Sequence, residues 1–318
     1  MDKLKKIADS FDSIEKQMRE ICHLRNVLVE LTAFCNLNCV QCANDKITRE
    51  RGYMDWELYT KIADELAEKY PKTNLWYGVY GEPLLVGAEK IREIVRYADE
   101  RGLTTWMTTN GVLLSDEVCD ALIDAGLDNI TIAVDGFSAG VYESIRVGAK
   151  RDKVYANVLH LRDKVKAKGS KMYIDVQLIE MDENKNEIKD FLKFWADSRI
   201  PVRIRGRMTW AGNIELGANI DKQKDRIACG FTFSQLCILW DGKVVSCAND
   251  INAMCVLGDA SKNTLGNIWE DKLAAFTRIH FEHNFDKLPE HCRNCFDWQV
   301  IGTDDYDENG KPFNKEYK

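Results

Sequence analysis

Proline is scarce in this sequence, with five in 318 residues, which excludes a collagen-like or proline-rich chain. No apolar run approaches the roughly 18 residues of a membrane-spanning helix. The stretch Met1 to Cys22 lacks the apolar core of a secretory signal. A soluble, cytoplasmic chain with no membrane partner is therefore expected. Basic charge is not in excess either, since 44 Lys and Arg stand against 51 Asp and Glu for a net charge of −7. No overall positive field points to nucleic acid. The sequence also holds no internal repeat and no low-complexity segment.

Cysteine is what the chain has in plenty. Eleven cysteines in a long chain with no export signal point to metal ligation rather than disulfides. Seven of them gather at opposite ends, as Cys35/Cys39/Cys42 and Cys229/Cys247/Cys292/Cys295, with only Cys119 between the two groups. That split suggests two metal sites on two domains.

Residues 1–22 read as an amphipathic helix, with Leu4, Ile7, Phe11, Ile14 and Met18 at three- and four-residue spacing. Strands are predicted at Val27–Leu31, Leu75–Val79, Thr104–Thr108, Asn129–Val134, Met172–Leu178 and Val202–Arg205. Helices are predicted at Asp55–Lys69, Val86–Arg101, Ser115–Ala125, Arg151–Lys168 and Asn184–Asp197. Asp55 and Ser115 read as N-caps, while Gly102, Gly126 and Gly169 follow helix ends. Six strand–helix units with right-handed crossovers make a parallel sheet. Beyond residue 210 the pattern changes to a hairpin, Leu236–Trp240 and Lys243–Ser246 around Asp241-Gly242, then a helix around Asn267–His280. The acidic stretch Thr303–Lys318 reads as a loosely held terminus.

Cys35-Asn-Leu-Asn-Cys39-Val-Gln-Cys42 is a C-x3-C-x2-C motif directly after the first strand. Three thiolates on one loop hold three irons of a cubane cluster and leave the fourth iron open to a chelating ligand. Structural zinc, the competing reading, wants a fourth ligand, and none lies close in sequence. The motif in this position resembles the radical S-adenosylmethionine (SAM) superfamily. The resemblance implies a [4Fe–4S] cluster that binds SAM through its amino and carboxylate groups. It also implies reductive cleavage of SAM to a 5′-deoxyadenosyl radical that abstracts a substrate hydrogen. Tyr80-Gly81-Glu82-Pro83 resembles the family's segment that contacts the SAM amino group. Asn110, Asp135 and Arg146 fall where the family recruits ribose or carboxylate contacts. One position departs from the pattern: Gln41 stands where the superfamily usually has an aromatic residue packed beside the adenine.

Cys229, the hairpin ending at Cys247, and Cys292-Arg-Asn-Cys295 resemble the auxiliary-cluster domains called twitch or SPASM. With no cysteine after Cys295, the shorter twitch form with one auxiliary [4Fe–4S] cluster is expected. Cys237, inside the first hairpin strand, reads as a core thiol rather than a ligand. Cys22 and Cys119 read as packing residues. Cys255, near the second group, is a candidate hydrogen-atom donor; His280 and His283, whose three-residue spacing permits a metal pair, read as surface residues. Arg203, Arg205 and Arg207 alternate, so that two or three face one side, as anion contacts or solvated charges.

The expected fold class is α/β, a partial (β/α)6 TIM-like barrel with a small C-terminal twitch-type domain. Its boundaries are an N-terminal helix at 1–23, the barrel at 24–210, the auxiliary domain at 211–302 and the acidic tail at 303–318. The nearest resemblance is to aminocyclitol and aminoglycoside dehydrogenases and epimerases, which share the stretch Gly81–Leu85. It implies hydrogen abstraction from a polar small molecule and a flavodoxin- or ferredoxin-type reductant. Modification of a ribosomal peptide is the alternative enzyme class. The shortness of the segment before the first strand weighs against the leader-binding domain such enzymes often carry. An iron–sulfur electron carrier is the non-enzymatic alternative.

Overall fold

The computed structural model describes residues 22–215, 220–300 and 303–313. The helix expected at 1–23 lies outside them, but for its last two residues. Six parallel strands pair in chain order: β1 (Asn26–Val29), β2 (Asn74–Tyr77), β3 (Thr105–Thr109), β4 (Asn129–Ala133), β5 (Tyr173–Glu180) and β6 (Val202–Gly206). This is the expected partial barrel. Between the strands run α1 (Trp56–Lys69), α2 (Ala88–Asp99), α3 (Asp116–Asp124), α4 (Ala139–Ile145), α5 (Arg151–Ala167) and α6 (Ile188–Asp197).

The helices form where apolar residues recur at helical spacing. In α1 Leu58, Tyr59, Ile62, Ala63 and Leu66 are buried, and in α2 Ile91, Ile94, Val95 and Ala98. Burying a side chain such as Ile62 or Leu66 contributes roughly 1.5–3 kcal/mol. The Ser115 hydroxyl accepts from the Val118 N–H and starts α3. Gly102 and Gly126 end α2 and α3 at φ 69° and 86°, backbone that a side chain would strain.

The strands have two unlike faces. Val27, Val29, Leu75 and Tyr77 are buried in the apolar core. Alternate residues, among them Leu28, Trp76, Gln177, Arg203 and Arg205, line a cavity inside the barrel. There Trp76 stacks on Trp106 at 4.8 Å and 13°, and the Arg203 guanidinium lies 5.3 Å from the Trp106 ring.

The C-terminal region extends the same sheet. β7 (Gln235–Ile238) pairs parallel to β1, with Val27 opposite Leu236. β8 (Lys243–Val245) and β9 (Val256–Asp259) continue antiparallel. Gly242, at φ 90°, makes the hairpin turn. After a π-helical stretch, Ile268–Leu273, come α7 (Ala274–Phe281) and α8 (Glu290–Arg293).

Three readings need correction. Residues 303–313 are not loosely held: β10 (Asp304–Tyr306) pairs antiparallel to β6, and β11 (Pro312–Phe313) pairs with β10. Its acidic residue Asp305 faces Arg203 at 3.5 Å, so the charge that suggested solvent has an internal partner. The helix predicted from Val86 starts at Ala88, because Pro83–Val86 forms a separate 3-10 turn. α4 was not expected at all; its short apolar set, Tyr142 and Ile145, gives too little periodicity to read.

Candidate active site

The loop after β1 carries Cys35, Cys39 and Cys42, and neighbouring backbone holds it in place. A Cβ on Gly81 would lie 2.0 Å from the Thr32 carbonyl oxygen and 2.7 Å from that of Phe34. Only glycine permits that approach. The Glu82 N–H donates to the Phe34 carbonyl at 2.9 Å. Asn44 Nδ2 bridges the carbonyls of Ala33 and Tyr80 at 3.1 and 2.6 Å. The Gly81-Glu82 segment at the end of β2 is thus a buttress for the cysteine loop.

All three cysteines line the barrel cavity, together with Gly81, Glu82, Asn110 and Arg146. The Glu82 carboxylate is buried and accepts from the Thr109 hydroxyl at 2.6 Å and the Asn110 N–H at 2.8 Å. Burial pushes its pKa up, and these hydrogen bonds oppose the rise. Asn110 Nδ2 donates to Asn36 on the cysteine loop at 2.8 Å. Asp135, wholly buried after β4, accepts from Arg146 Nε and Nη2 at 2.6 Å and from the Ile179 N–H at 2.7 Å. It also accepts from Gln41 Nε2. Arg146 Nη1 in turn lies 3.8 Å from the Cys39 sulfur. Gln41, Asp135 and Arg146 form one buried polar network behind the loop, and nothing in the local spacing hinted at the Gln41–Asp135 pair.

Cys229, Cys247, Cys292 and Cys295 line a second, narrow cavity. Asp297, two residues beyond the last of them, organises its wall. Its buried carboxylate accepts from Thr209 N and Oγ1 and Ala211 N, at 2.6, 2.8 and 2.9 Å. It also accepts from Asn249 Nδ2 at 2.8 Å, and its own N–H faces the Cys295 sulfur at 3.3 Å. Arg226 Nη2 lies 3.6 Å from the Cys292 sulfur. His280 is fully buried rather than on the surface. Its Nδ1 accepts from the Cys229 N–H at 3.4 Å, and burial lowers its pKa to about 4. His283 is exposed, as expected. Only proximity to a cysteine in sequence hinted at Arg226 and Asp297.

The remaining candidates separate clearly. Cys237 is buried in a small apolar cluster with Tyr80, Leu239, Val245 and Ile251, and Cys119 lies in the main core. Cys255 is half-buried, with its N–H donating to Asp250 at 2.8 Å and Ser246 beside its thiol. It is not among the residues lining either cavity. Arg203 is no solvated charge, since it pairs with Asp175 at 2.9 Å while facing the cavity beside Arg205. Arg207 reaches the Val40 carbonyl at 3.4 Å.

Both cysteine groups suit iron–sulfur clusters by their donor chemistry. Burial raises Cys42 to about 12 and Cys229 to about 11, and it pushes up Cys35, Cys39, Cys247, Cys292 and Cys295 as well. A thiol so buried becomes a thiolate when a cation binds within the same cavity. Three thiolates would leave one place of a cubane cluster open, and four would close one. No helix among the described residues is long and apolar enough to cross a membrane.

Comparison with known proteins agrees with this geometry. The family model for the radical SAM superfamily matches residues 29–194, and that of the SPASM iron–sulfur cluster-binding domain matches residues 229–296. A tungsten-containing aldehyde ferredoxin oxidoreductase cofactor-modifying protein from Pyrococcus furiosus is 23% identical over 290 residues. That alignment covers 79% of this chain and 80% of the relative. Other curated relatives align over 36% to 67% of this chain. The structure of BtrN in complex with AdoMet and 2-DOIA has TM-score 0.62 and 20% identity, over 86% of this chain and 92% of that one. SuiB from Streptococcus suis, bound to the precursor peptide SuiA, has TM-score 0.66 and 12% identity, over 92% of this chain and 74% of that one. The family implies a [4Fe–4S] cluster, SAM and auxiliary iron–sulfur ligation. The chain is a radical SAM enzyme, a member of the radical SAM superfamily with a C-terminal SPASM domain.

Proposed function

We propose that this enzyme abstracts a hydrogen atom from a carbon of a polar, hydroxylated small molecule and oxidises it, with Cys35, Cys39 and Cys42 holding the SAM-binding cluster and Cys229, Cys247, Cys292 and Cys295 the auxiliary one. One observation carries the reading: Phe231 and Asn249 border both cavities, so the reaction space lies directly against the second cysteine group. Bound there, the first cluster would supply the electron that cleaves SAM and the second a sink for the electron left on the substrate, whose hydroxyl proton would pass to water as the carbonyl forms.

The chain's own residues set the substrate class. Among the described residues lining the barrel cavity, Glu82 is the only carboxylate, and both its oxygens already accept hydrogen bonds. Arg203, Arg205, Gln177 and Gln235 supply donors there, and Trp76 supplies a flat apolar face. Such walls suit hydroxyls or an anionic group on a ring better than an ammonium. Cys255, lying off both cavities, favours dehydrogenation over epimerisation, which needs a hydrogen donor at the substrate. A flavodoxin- or ferredoxin-type protein supplies the first electron.

The test is anaerobic reconstitution followed by turnover with ring polyols deuterated at the carbinol carbon. About eight irons per chain, and deuterium in the 5′-deoxyadenosine formed, are expected. About four irons without SAM cleavage would favour the electron carrier and sink the proposal. A second reading, peptide modification, draws on the likeness to the peptide-bound SuiB structure. Deuterium reaching 5′-deoxyadenosine from a labelled peptide, and not from the polyols, would choose it.

A further inference from the structure

His280 lies near the end of α7 and is fully buried beside the second cysteine group. Phe276 and Phe285 flank its ring, with centroids at 5.5 and 6.1 Å. Thr277 Oγ1 donates to the Thr232 carbonyl at 2.9 Å, and Thr232 Oγ1 to that of Cys229 at 3.0 Å. These bonds tie α7 to the segment that carries Cys229. Among the described residues each ring nitrogen of His280 has one contact. The Cys229 N–H donates to Nδ1 at 3.4 Å, and Nε2 faces the Cys292 sulfur at 4.0 Å. That pair of contacts fixes the tautomer. A backbone N–H donates and never accepts, so Nδ1 offers its lone pair and the ring's proton sits on Nε2. The N–H is therefore aimed at the sulfur.

We infer that His280 donates an Nε2–H hydrogen bond to the Cys292 thiolate of the occupied second site and thereby raises the reduction potential there. The inference rests on the reading of Cys229, Cys247, Cys292 and Cys295 as the auxiliary ligands. An ionised acceptor draws its donor closer, and such bonds are roughly twice as strong as neutral ones. Hydrogen bonds to ligand sulfurs favour the reduced state, because they stabilise the negative charge that it adds. His280 acts through Cys292 and is a positioning residue. One imidazole holds the backbone of one ligand and the sulfur of another. Arg226 Nη2 reaches the same sulfur at 3.6 Å, so two donors converge on Cys292.

Two amide substitutions separate the two contacts of the ring. His280→Gln places its amide nitrogen where Nε2 stands and keeps the donor to the sulfur. His280→Asn places its amide oxygen where Nδ1 stands, keeping the acceptor for Cys229 and losing the donor. The measurement is a redox titration of reconstituted full-length enzyme, followed by electron paramagnetic resonance. His280→Asn should lower the one-electron reduction equilibrium of the second cluster about tenfold, or about 59 mV, and His280→Gln should stay within about threefold of wild type. The first cluster, recognised by the change of its signal when SAM is added, should not move. Equal shifts in the two variants overturn the inference, since the Cys229 contact or packing then accounts for both. An asparagine variant that keeps its second cluster at the wild-type potential overturns it too. If both variants lose that cluster, the wild-type protein still decides. With 15N-labelled histidine, the part of the signal that SAM leaves unchanged should carry a 15N hyperfine coupling. That coupling should survive His291→Gln, which removes the other histidine lining the cavity, and its absence overturns the inference. Wild-type protein that takes up only about four irons would instead strike at the ligand assignment beneath it.

Discussion

At the scale of single residues, the motif positions serve first as structure. Gly81 is the clearest case, since its backbone lies against the loop that carries Cys35 and any side chain would enter the Thr32 carbonyl at 2.0 Å. The obstacle is backbone rather than a flexible side chain, so the strain cannot be relieved locally. Gly81→Ala should cost about 1–3 kcal/mol, the usual range for overpacking, and should lower iron retention by the first cysteine group. Thermal melting and iron analysis together check this; a variant with wild-type melting temperature and iron would show that the loop yields. Glu82 and Asp135 have the same character, because each carboxylate ties together segments far apart in sequence. Their identities as candidate contacts were legible from position after a strand. Their hydrogen-bond partners were not, because Thr109, Asn110, Ile179 and Gln41 reach them through the fold.

At the scale of elements, helix packing around the barrel carries a surface charge ladder. Asp120 on α3 meets Lys164 on α5 at 2.8 Å and Lys168, just past the end of α5, at 2.7 Å. These hydrogen bonds lower the Asp120 pKa to about 2, below its unfolded value near 3.8. A depressed carboxylate adds stability above the unfolded pKa and loses it as pH falls through the folded pKa. The contribution is therefore present at neutral pH and disappears between about pH 4 and pH 2. Because the pair is exposed, the effect is small and screened by salt. Asp120→Asn should lower the melting temperature slightly at low ionic strength and not at high ionic strength, with a flatter acid limb. A salt-independent loss would point to packing instead. The elements themselves were readable where strong periodicity met clear caps, as in α1, α3 and the six barrel strands. β10 escaped because Asp304-Asp305-Tyr306 is acidic, and its stabilising partner Arg203 lies on a strand about a hundred residues earlier. Local composition said loop, and a distant ion pair made it a strand.

At the scale of the whole molecule, the two cysteine groups face unlike charge environments, although each has an arginine at one sulfur. Arg146 is 3.8 Å from Cys39, but Asp135 neutralises it through two contacts at 2.6 Å. Arg226 is 3.6 Å from Cys292 and spends its other nitrogen on the carbonyls of Cys292 and Arg293 at 2.8 Å. Among the described residues its partners are those carbonyls, that sulfur and the Phe285 ring, 5.0 Å from its guanidinium. A cation beside a cluster ligand favours the more negative, reduced state, and a cation already paired does so less. On the proposed ligand assignment, the second site is then the easier of the two to reduce, which suits an electron acceptor next to the substrate. Arg226→Gln keeps a hydrogen-bond donor near the sulfur and removes the charge. It should lower the midpoint potential of the second cluster, by about 59 mV for each tenfold change in its one-electron equilibrium. The first cluster should stay where it was. A redox titration followed by electron paramagnetic resonance reads both potentials in one sample. Equal shifts at both clusters would mean a general structural effect, and no shift at the second would mean that solvent screens Arg226. A selective drop, accompanied by slower product formation with SAM cleavage intact, would assign Arg226 to the electron's exit rather than to its entry.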